Sequence, residues 1–317
     1  AEAVQDAGIN VQDVERTLRA RLDTHFLATY HRIAAETTKR WTFEQEIKRP
    51  YFHTEELDEA QISVWRKYLD FEEAEGDYQR TAFLYERCLV TLAQHVEFWL
   101  RYARWMLAQP GKDEEVRMIY ERASCIYAPI AEPIVRLQYA LFEEMSGRID
   151  VAAAVHEAIL VNTPAQIDVI NSWANLERRH DGLEAAINVM KQQIDSQEID
   201  IQTKGALVAN WALLLWKHKG SADEARRVFQ KNQQYFLDVR SFWMQWLSFE
   251  ISLPASINSE DKQYVRINQI HEDIINKSRL PVTDVKEMTH VYMQYLLDRG
   301  KPEAAKEYMM LDKDVNG

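Results

Sequence analysis

The chain has 317 residues, 46% hydrophobic and 28% charged, and carries a formal net charge of -12. That balance opposes nonspecific nucleic-acid binding, which rests on neutralising phosphates. Nine glycines and eight prolines are too few for the many tight turns of an all-β protein and favour helices.

Cys88 and Cys125 are the only cysteines and form no CxxC, so a disulfide framework is excluded and a reducing compartment such as cytosol or nucleus is expected. No apolar run approaches the roughly 20 residues of a membrane span. The opening stretch AEAVQDAGIN has neither the basic start nor the apolar core of a signal peptide. It also lacks an initiator Met, as a fragment of a longer chain would.

The first predicted element is a helix from about Val11 to Ile47, with Val14, Leu18, Leu22, Phe26, Tyr30 and Ile33 on one side. Residues 1–60 read as the end of a preceding helical unit plus a connecting helix. The segment KRPYFHTEELDEAQ, Lys48 to Gln61, interrupts it. Pro50 disfavours helix at Arg49, and Thr54 is the expected N-cap of the next turn.

From there the chain repeats. Trp65-x-x-Tyr68-x-x-Phe71-Glu72 returns as Trp99-x-x-Tyr102-x-x-Trp105, then as Tyr139-x-x-Phe142-Glu143 with Arg136 in the first aromatic place. Further copies are Trp173-x-x-Leu176-Glu177, Trp211-x-x-Leu214, Trp243-x-x-Trp246-x-x-Phe249-Glu250 and a weak Tyr292-x-x-Tyr295. Most are spaced about 34 to 38 residues apart, the period of helical-hairpin repeats. Each copy has a second half, clearest as RTAFLYERCL (Arg80 to Leu89) and VRMIYERAS (Val116 to Ser124). Gly76, Gly111, Gly147, Gly182, Gly220 and Gly300 separate the halves, where glycine suits a left-handed helix stop.

The unit is therefore helix A, turn, helix B. Residues at i, i+3 and i+7 share a helix face, so Trp65, Tyr68, Phe71, Trp99, Tyr102, Trp105, Trp173, Trp211, Trp243, Trp246 and Phe249 are assigned to repeat-core packing. One hairpin cannot bury such a face alone, so residues 61–317 are expected to stack as six to seven hairpins. The fold class is all-α, a right-handed α-solenoid of antiparallel hairpins. A polar loop, SLPASINSEDKQ (Ser252 to Gln263), is expected before a helix from about Tyr264 to Lys277, and Pro281 precedes the last hairpin.

Nothing in the pattern carries catalysis. Glu72 and Glu73 point about 100° apart on a helix. Glu72 lies on the packed stripe, where a carboxylate needs a partner, and Arg87 is one candidate. Glu143 and Glu177 recur without an equivalent arginine. Glu73 is read as solvated and Asp312 to Asp314 as a frayed tail. The nine histidines form no HExxH, and His25 and His31 share no helix face well; the cysteines read as small buried residues. No GxGxxG, P-loop or GxSxG is present. Basic pairs such as Lys39-Arg40 and Arg226-Arg227 are scattered among acids, and the aromatics recur at core spacing rather than as base-stacking platforms. No cofactor, metal or membrane is implied.

The W-x-x-Y-x-x-F-E and Y-E-R-A pattern resembles the half-a-tetratricopeptide (HAT) repeat, a family of RNA-processing assemblies. The tetratricopeptide pattern, W-x-x-L-G-x-x-Y with a proline-bounded second helix, fits worse. FEQEIKRPYFHTEELDEAQISVW (Phe43 to Trp65), YERCL, VEFWLRYARWM (Val96 to Met106) and NLERRHDGLEAA (Asn175 to Ala186) resemble the pre-mRNA-processing factor 39 family. IKRPYFH discriminates most, because repeat physics does not require it.

The resemblance implies the family's C-terminal HAT array, a nuclear location, and a non-catalytic scaffold of the U1 small nuclear ribonucleoprotein acting at the 5′ splice site. It implies U1 proteins as partners, mainly indirect RNA association, and pairing with itself or a paralogue. Tyr292, Tyr295, Leu296, Tyr308, Met309 and Met310 are the candidate pairing surface, at a solenoid end no further repeat covers. Two rival readings are a HAT scaffold of mRNA 3′-end cleavage or ribosomal RNA processing, and a prenyltransferase α-type subunit, whose motif has arginine where this chain has tyrosine.

Overall fold

The computed structural model describes residues 11–254 and 259–316; the opening AEAVQDAGIN and the middle of the expected 252–263 loop lie outside them. Among the described residues there are fifteen α-helices and no strand, the all-α solenoid of HAT/TPR-like hairpins that the repeat predicts.

Two compact units divide the chain, residues 1–128 and 129–317. The first holds α1 (Val11–Glu46), α2 (Glu59–Glu75), α3 (Tyr78–Thr91), α4 (Val96–Leu107) and α5 (Asp113–Arg122), closed by a π-helical turn, Ala123–Tyr127. The second holds α6 (Ile134–Met145), α7 (Ile149–Asn162), α8 (Ile167–His180), α9 (Leu183–Asp195), α10 (Ile201–Lys219) and α11 (Ala222–Asn232). It continues with α12 (Arg240–Ser252), α13 (Glu260–Asn276), α14 (Val282–Arg299) and α15 (Pro302–Asn316). From α2 onward the helices pair as seven hairpins.

The helix boundaries follow local chemistry. Asp58, not Thr54, caps α2: its carboxylate accepts from the Gln61 backbone N–H at 2.8 Å. A carboxylate satisfies a free N–H and also complements the helix dipole. The six predicted glycine stops all take positive φ. Gly76, at φ 75°, lets its N–H return to the Glu72 carbonyl. α13 begins at Glu260, four residues before the expected start. Glu260 and Asp261 suit its N-terminal dipole, and Gln263 is buried, donating to the carbonyls of Glu250 and Leu253.

Gly205 is a different case, and the sequence did not mark it. It sits within α10, where a Cβ would lie 2.6 Å from Val239 Cγ1. Absence of a side chain lets α10 approach the turn that leads into α12.

Of the assigned core aromatics, Trp65, Tyr68, Trp99, Tyr102, Trp243, Trp246 and Phe249 are buried. Phe71, Trp105, Trp173 and Trp211 are half-buried. The first tryptophan of two copies also fixes the loop before its helix. Trp99 Nε1 donates to the Ala93 carbonyl at 2.7 Å, and Trp243 Nε1 to the Phe236 carbonyl at 3.0 Å.

The apolar side of α1 is not covered in this way. Val14, Leu18, Leu22, Phe26, Tyr30 and Ile33 are exposed, from 45% at Leu22 to 65% at Tyr30. Among the described residues α1 packs through its C-terminal part, where Phe43 stacks on Tyr68 with ring centroids 4.9 Å apart and also meets Phe71.

Candidate interaction surfaces

The buried motif glutamate takes its partner from the preceding helix. Arg40 of α1 grips Glu72 with two parallel bonds, Nε to Oε1 and Nη2 to Oε2, the latter at 3.0 Å. Arg87, one candidate partner, instead holds Glu44 at 2.6–2.7 Å. The same lock recurs in the second unit. Arg226 of α11 bonds both oxygens of Glu250, at 2.7–3.2 Å, and Glu250 is 1% exposed.

The two locks share a spacing, since Arg40 precedes Phe43 by three residues and Arg226 precedes Phe229 by three. Phe229 stacks on Trp246 and meets Phe249, as Phe43 does with Tyr68 and Phe71. R-x-x-F on one helix thus engages the second aromatic, the third aromatic and the glutamate of the next helix A. In the other two copies with this glutamate, Arg148 lies 3.4 Å from Glu143, and Glu177 accepts from the Trp173 indole.

Around Glu72 the charges close on one another. An open groove of about 680 Å³ between α1 and the first hairpin is lined by Arg40, Glu36, Glu72 and Arg80, among others. Glu36 accepts from Arg40 and Arg80, and these cations hold its carboxyl down at about 2. Glu73 is not solvated as expected: it is half-buried and accepts from the Tyr85 hydroxyl and from Arg101. The groove is therefore an ion-paired packing seam.

Cys88 is buried, and burial pushes its thiol up; Cys125 is exposed in the π-helical turn, against expectation. Among the described residues no cluster of His, Cys, Asp or Glu could hold a metal ion, and no helix is long and apolar enough to cross a membrane.

At the C-terminal hairpin the structure redraws the candidate pairing surface. Tyr292 and Leu296 are fully buried in the chain's own core. Tyr292 stacks on His271 at 4.3 Å, and its hydroxyl donates to Glu307 at 2.6 Å. Their i, i+4 spacing on α14 serves the hairpin itself. Tyr295 and Tyr308 are half-buried. Met309 and Met310 are 73% and 64% exposed, with Leu297 at 50% on the neighbouring helix. The frayed tail expected at Asp312 falls within α15.

His271 gives this hairpin a pH response. The Thr289 hydroxyl donates to the Val285 carbonyl, so His271 Nε2 donates to Thr289 at 3.0 Å, and burial keeps the ring neutral. Burial lowers its pKa from 6.5 to about 4, against a smaller opposing pull from Glu307. Between those values the unfolded chain binds more protons than the folded one. The contribution of His271 to stability is therefore fully present above pH 6.5 and is lost as the pH drops towards about 4. Urea midpoints across that window are expected to fall for the wild type and to fall less for His271→Gln. Buried His156, lowered in the same direction, supplies slope common to both proteins.

Residues 38–179 match the family model described as PRP39 C-terminal HAT repeat. The chain is 44% identical over 309 residues to pre-mRNA-processing factor 39 of Schizosaccharomyces pombe, covering 96% of the chain and 50% of that protein. It is 30% identical over 251 residues to the Homo sapiens protein of that name, covering 79% of the chain and 37% of the relative. Pre-mRNA-splicing factor clf-1 of Neurospora crassa is 28% identical over 153 residues, 48% of the chain and 20% of that protein. The chain thus spans half or less of the length of these relatives. The repeat, the matched residues 38–179 and the likeness along nearly the whole length place the chain with the pre-mRNA-processing factor 39 family, as a HAT-repeat protein aligned with its C-terminal array.

Proposed function

We propose that the chain is a non-catalytic scaffold in nuclear pre-mRNA splicing. It would act within the U1 small nuclear ribonucleoprotein at 5′ splice-site recognition, through protein contacts and by pairing with a second array. The observation that carries this reading is the likeness to pre-mRNA-processing factor 39 over 96% of the chain. The matched residues 38–179 span the non-repeat segment IKRPYFH, which the repeat spacing does not demand and where Tyr51 and Phe52 stand exposed. On this reading the exposed stripe of α1 is the face against which a preceding helical unit packs. That fits the R-x-x-F signature at its C-terminal end, which makes α1 behave as a helix B.

Capture of the tagged chain from nuclear extract tests the assignment: U1 RNA and U1 proteins are the expected yield. Recovery of 3′-end-cleavage factors or ribosomal RNA precursors instead would move the scaffold to another RNA-processing machine. Pairing is tested separately by light scattering. The wild type is expected to run as a dimer at micromolar concentration, and Met309→Glu/Met310→Glu as a monomer with an unchanged melting curve. A monomeric wild type would rule out self-pairing through this end.

A further inference from the structure

The strongest unassigned surface lies in the second unit, where α11, α12 and α13 enclose two depressions of about 630 and 300 Å³ that share Gln230 and Gln233. Their lining carries four cations, Arg226, Lys231, Arg266 and Lys277, against two carboxylates, Glu250 and Asp273.

The two signs are not equally placed. Both carboxylates lie in the floor, 1% and 7% exposed, and both are already satisfied. Glu250 is held by Arg226, while Asp273 accepts from Gln233, Gln269 and Lys277 at 2.8–3.1 Å. The mouth is cationic. The side chains of Arg266 and Lys277 are 46% and 56% exposed, and Lys231 is exposed and makes no ion pair among the described residues. A chain with net charge -12 therefore presents a groove whose accessible charge is positive.

The remaining lining decides the kind of partner. Gln230 and Gln234 are exposed, and their side-chain amides make no hydrogen bond among the described residues. Each offers a donor and an acceptor, which is what an extended peptide backbone needs. Stacking on bases would need an accessible aromatic face. The lining aromatic, Trp246, is 4% exposed and already stacked on Phe229.

We propose that this groove binds an acidic, extended peptide segment of a partner protein. Arg266, Lys231 and Lys277 meet its carboxylates, and the glutamine amides meet its backbone. The surface shares no residue with the Met309–Met310 face, so the proposal stands whether or not the chain pairs through its C-terminal end.

The test is fluorescence anisotropy on the whole chain at low ionic strength. Three labelled probes are compared: a Glu-Gly repeat peptide of about ten residues, its Gln-Gly counterpart and an oligouridylate of similar length. The acidic peptide is expected to bind and the neutral one not. Lys231→Glu/Arg266→Gln is expected to weaken that binding by about tenfold or more, as for charges facing a partner. Lys67→Glu, on exposed α2 surface in the other unit, should leave it unchanged. Melting curves confirm folding, and should the double variant melt early, Lys231→Gln alone carries the comparison. Three results would overturn the proposal: no binding of the acidic peptide, equal weakening by Lys67→Glu, or tighter binding of the oligouridylate that is lost in the groove variant.

Discussion

Replacing Trp243 with alanine is expected to cost about 3–5 kcal/mol, the range for truncating a well-buried large aromatic. Trp243 is 0% exposed and packs edge-on against Phe242 and stacked on Trp246, with centroids 5.8 and 5.7 Å away. Its indole N–H also holds the Phe236 carbonyl, so truncation leaves that acceptor unmatched, a further loss on the order of 1 kcal/mol. Trp243→Phe separates the two effects: it keeps most of the packing and loses the hydrogen bond, so it should fall between wild type and alanine. Trp173 occupies the equivalent place in its repeat but is half-buried, so Trp173→Ala should cost less. Urea unfolding followed by hydrogen exchange on α12 measures both, because a repeat array loses stability locally before it loses it globally. Equal midpoints for wild type and Trp243→Ala would refute the packing assignment.

The contrast between these tryptophans shows how far the sequence reaches. Period was legible: six to seven hairpins and six glycine stops follow from spacing, whereas of the eleven aromatics assigned to the core seven lie buried and four only half-buried. What spacing does not encode is which group meets which across 24 to 43 residues. Glu72 was visibly a buried carboxylate in need of a cation, and Arg87 sits in the adjoining helix B. The geometry gives Arg87 to Glu44 and Arg40 to Glu72, because the preceding helix, not the following one, faces the third turn of helix A. Aligning Arg40-x-x-Phe43 with Arg226-x-x-Phe229 would have been the available signal. Tyr292 and Leu296 failed for a related reason. An aromatic stripe on the last repeat looks like an open end, but α13 and α15 already fill it with His271 and Glu307. The basic mouth between α11 and α13 was hidden because its cations are spread over about 50 residues and diluted by acids that fold beneath them.

The Arg226–Glu250 lock gives the other large expected effect. Breaking a buried ion pair from one side leaves a charge without compensation, which typically costs about 3–5 kcal/mol. Arg226→Met should reach that range, because Arg266, the next cation, is 3.8 Å from Glu250 and 46% exposed. Arg226→Met/Glu250→Leu should recover most of the loss. With both charges gone no desolvated ion remains, and the apolar pair extends the Phe229–Trp246–Phe249 stack. A surface pair provides the scale: Arg66 and Glu97 are bonded at 2.7 Å but are 35% and 49% exposed, and exposed pairs contribute about 0–1 kcal/mol. A double-mutant cycle at Arg226 and Glu250 is therefore expected to show a coupling several times that at Arg66 and Glu97, with little dependence on salt. The physical reading is that the lock fixes which helix faces may stack, since an R-x-x-F helix docked one turn out of register would bury Glu250 unpaired. If Arg226→Met were as stable as wild type, register would have to come from the aromatic rings alone.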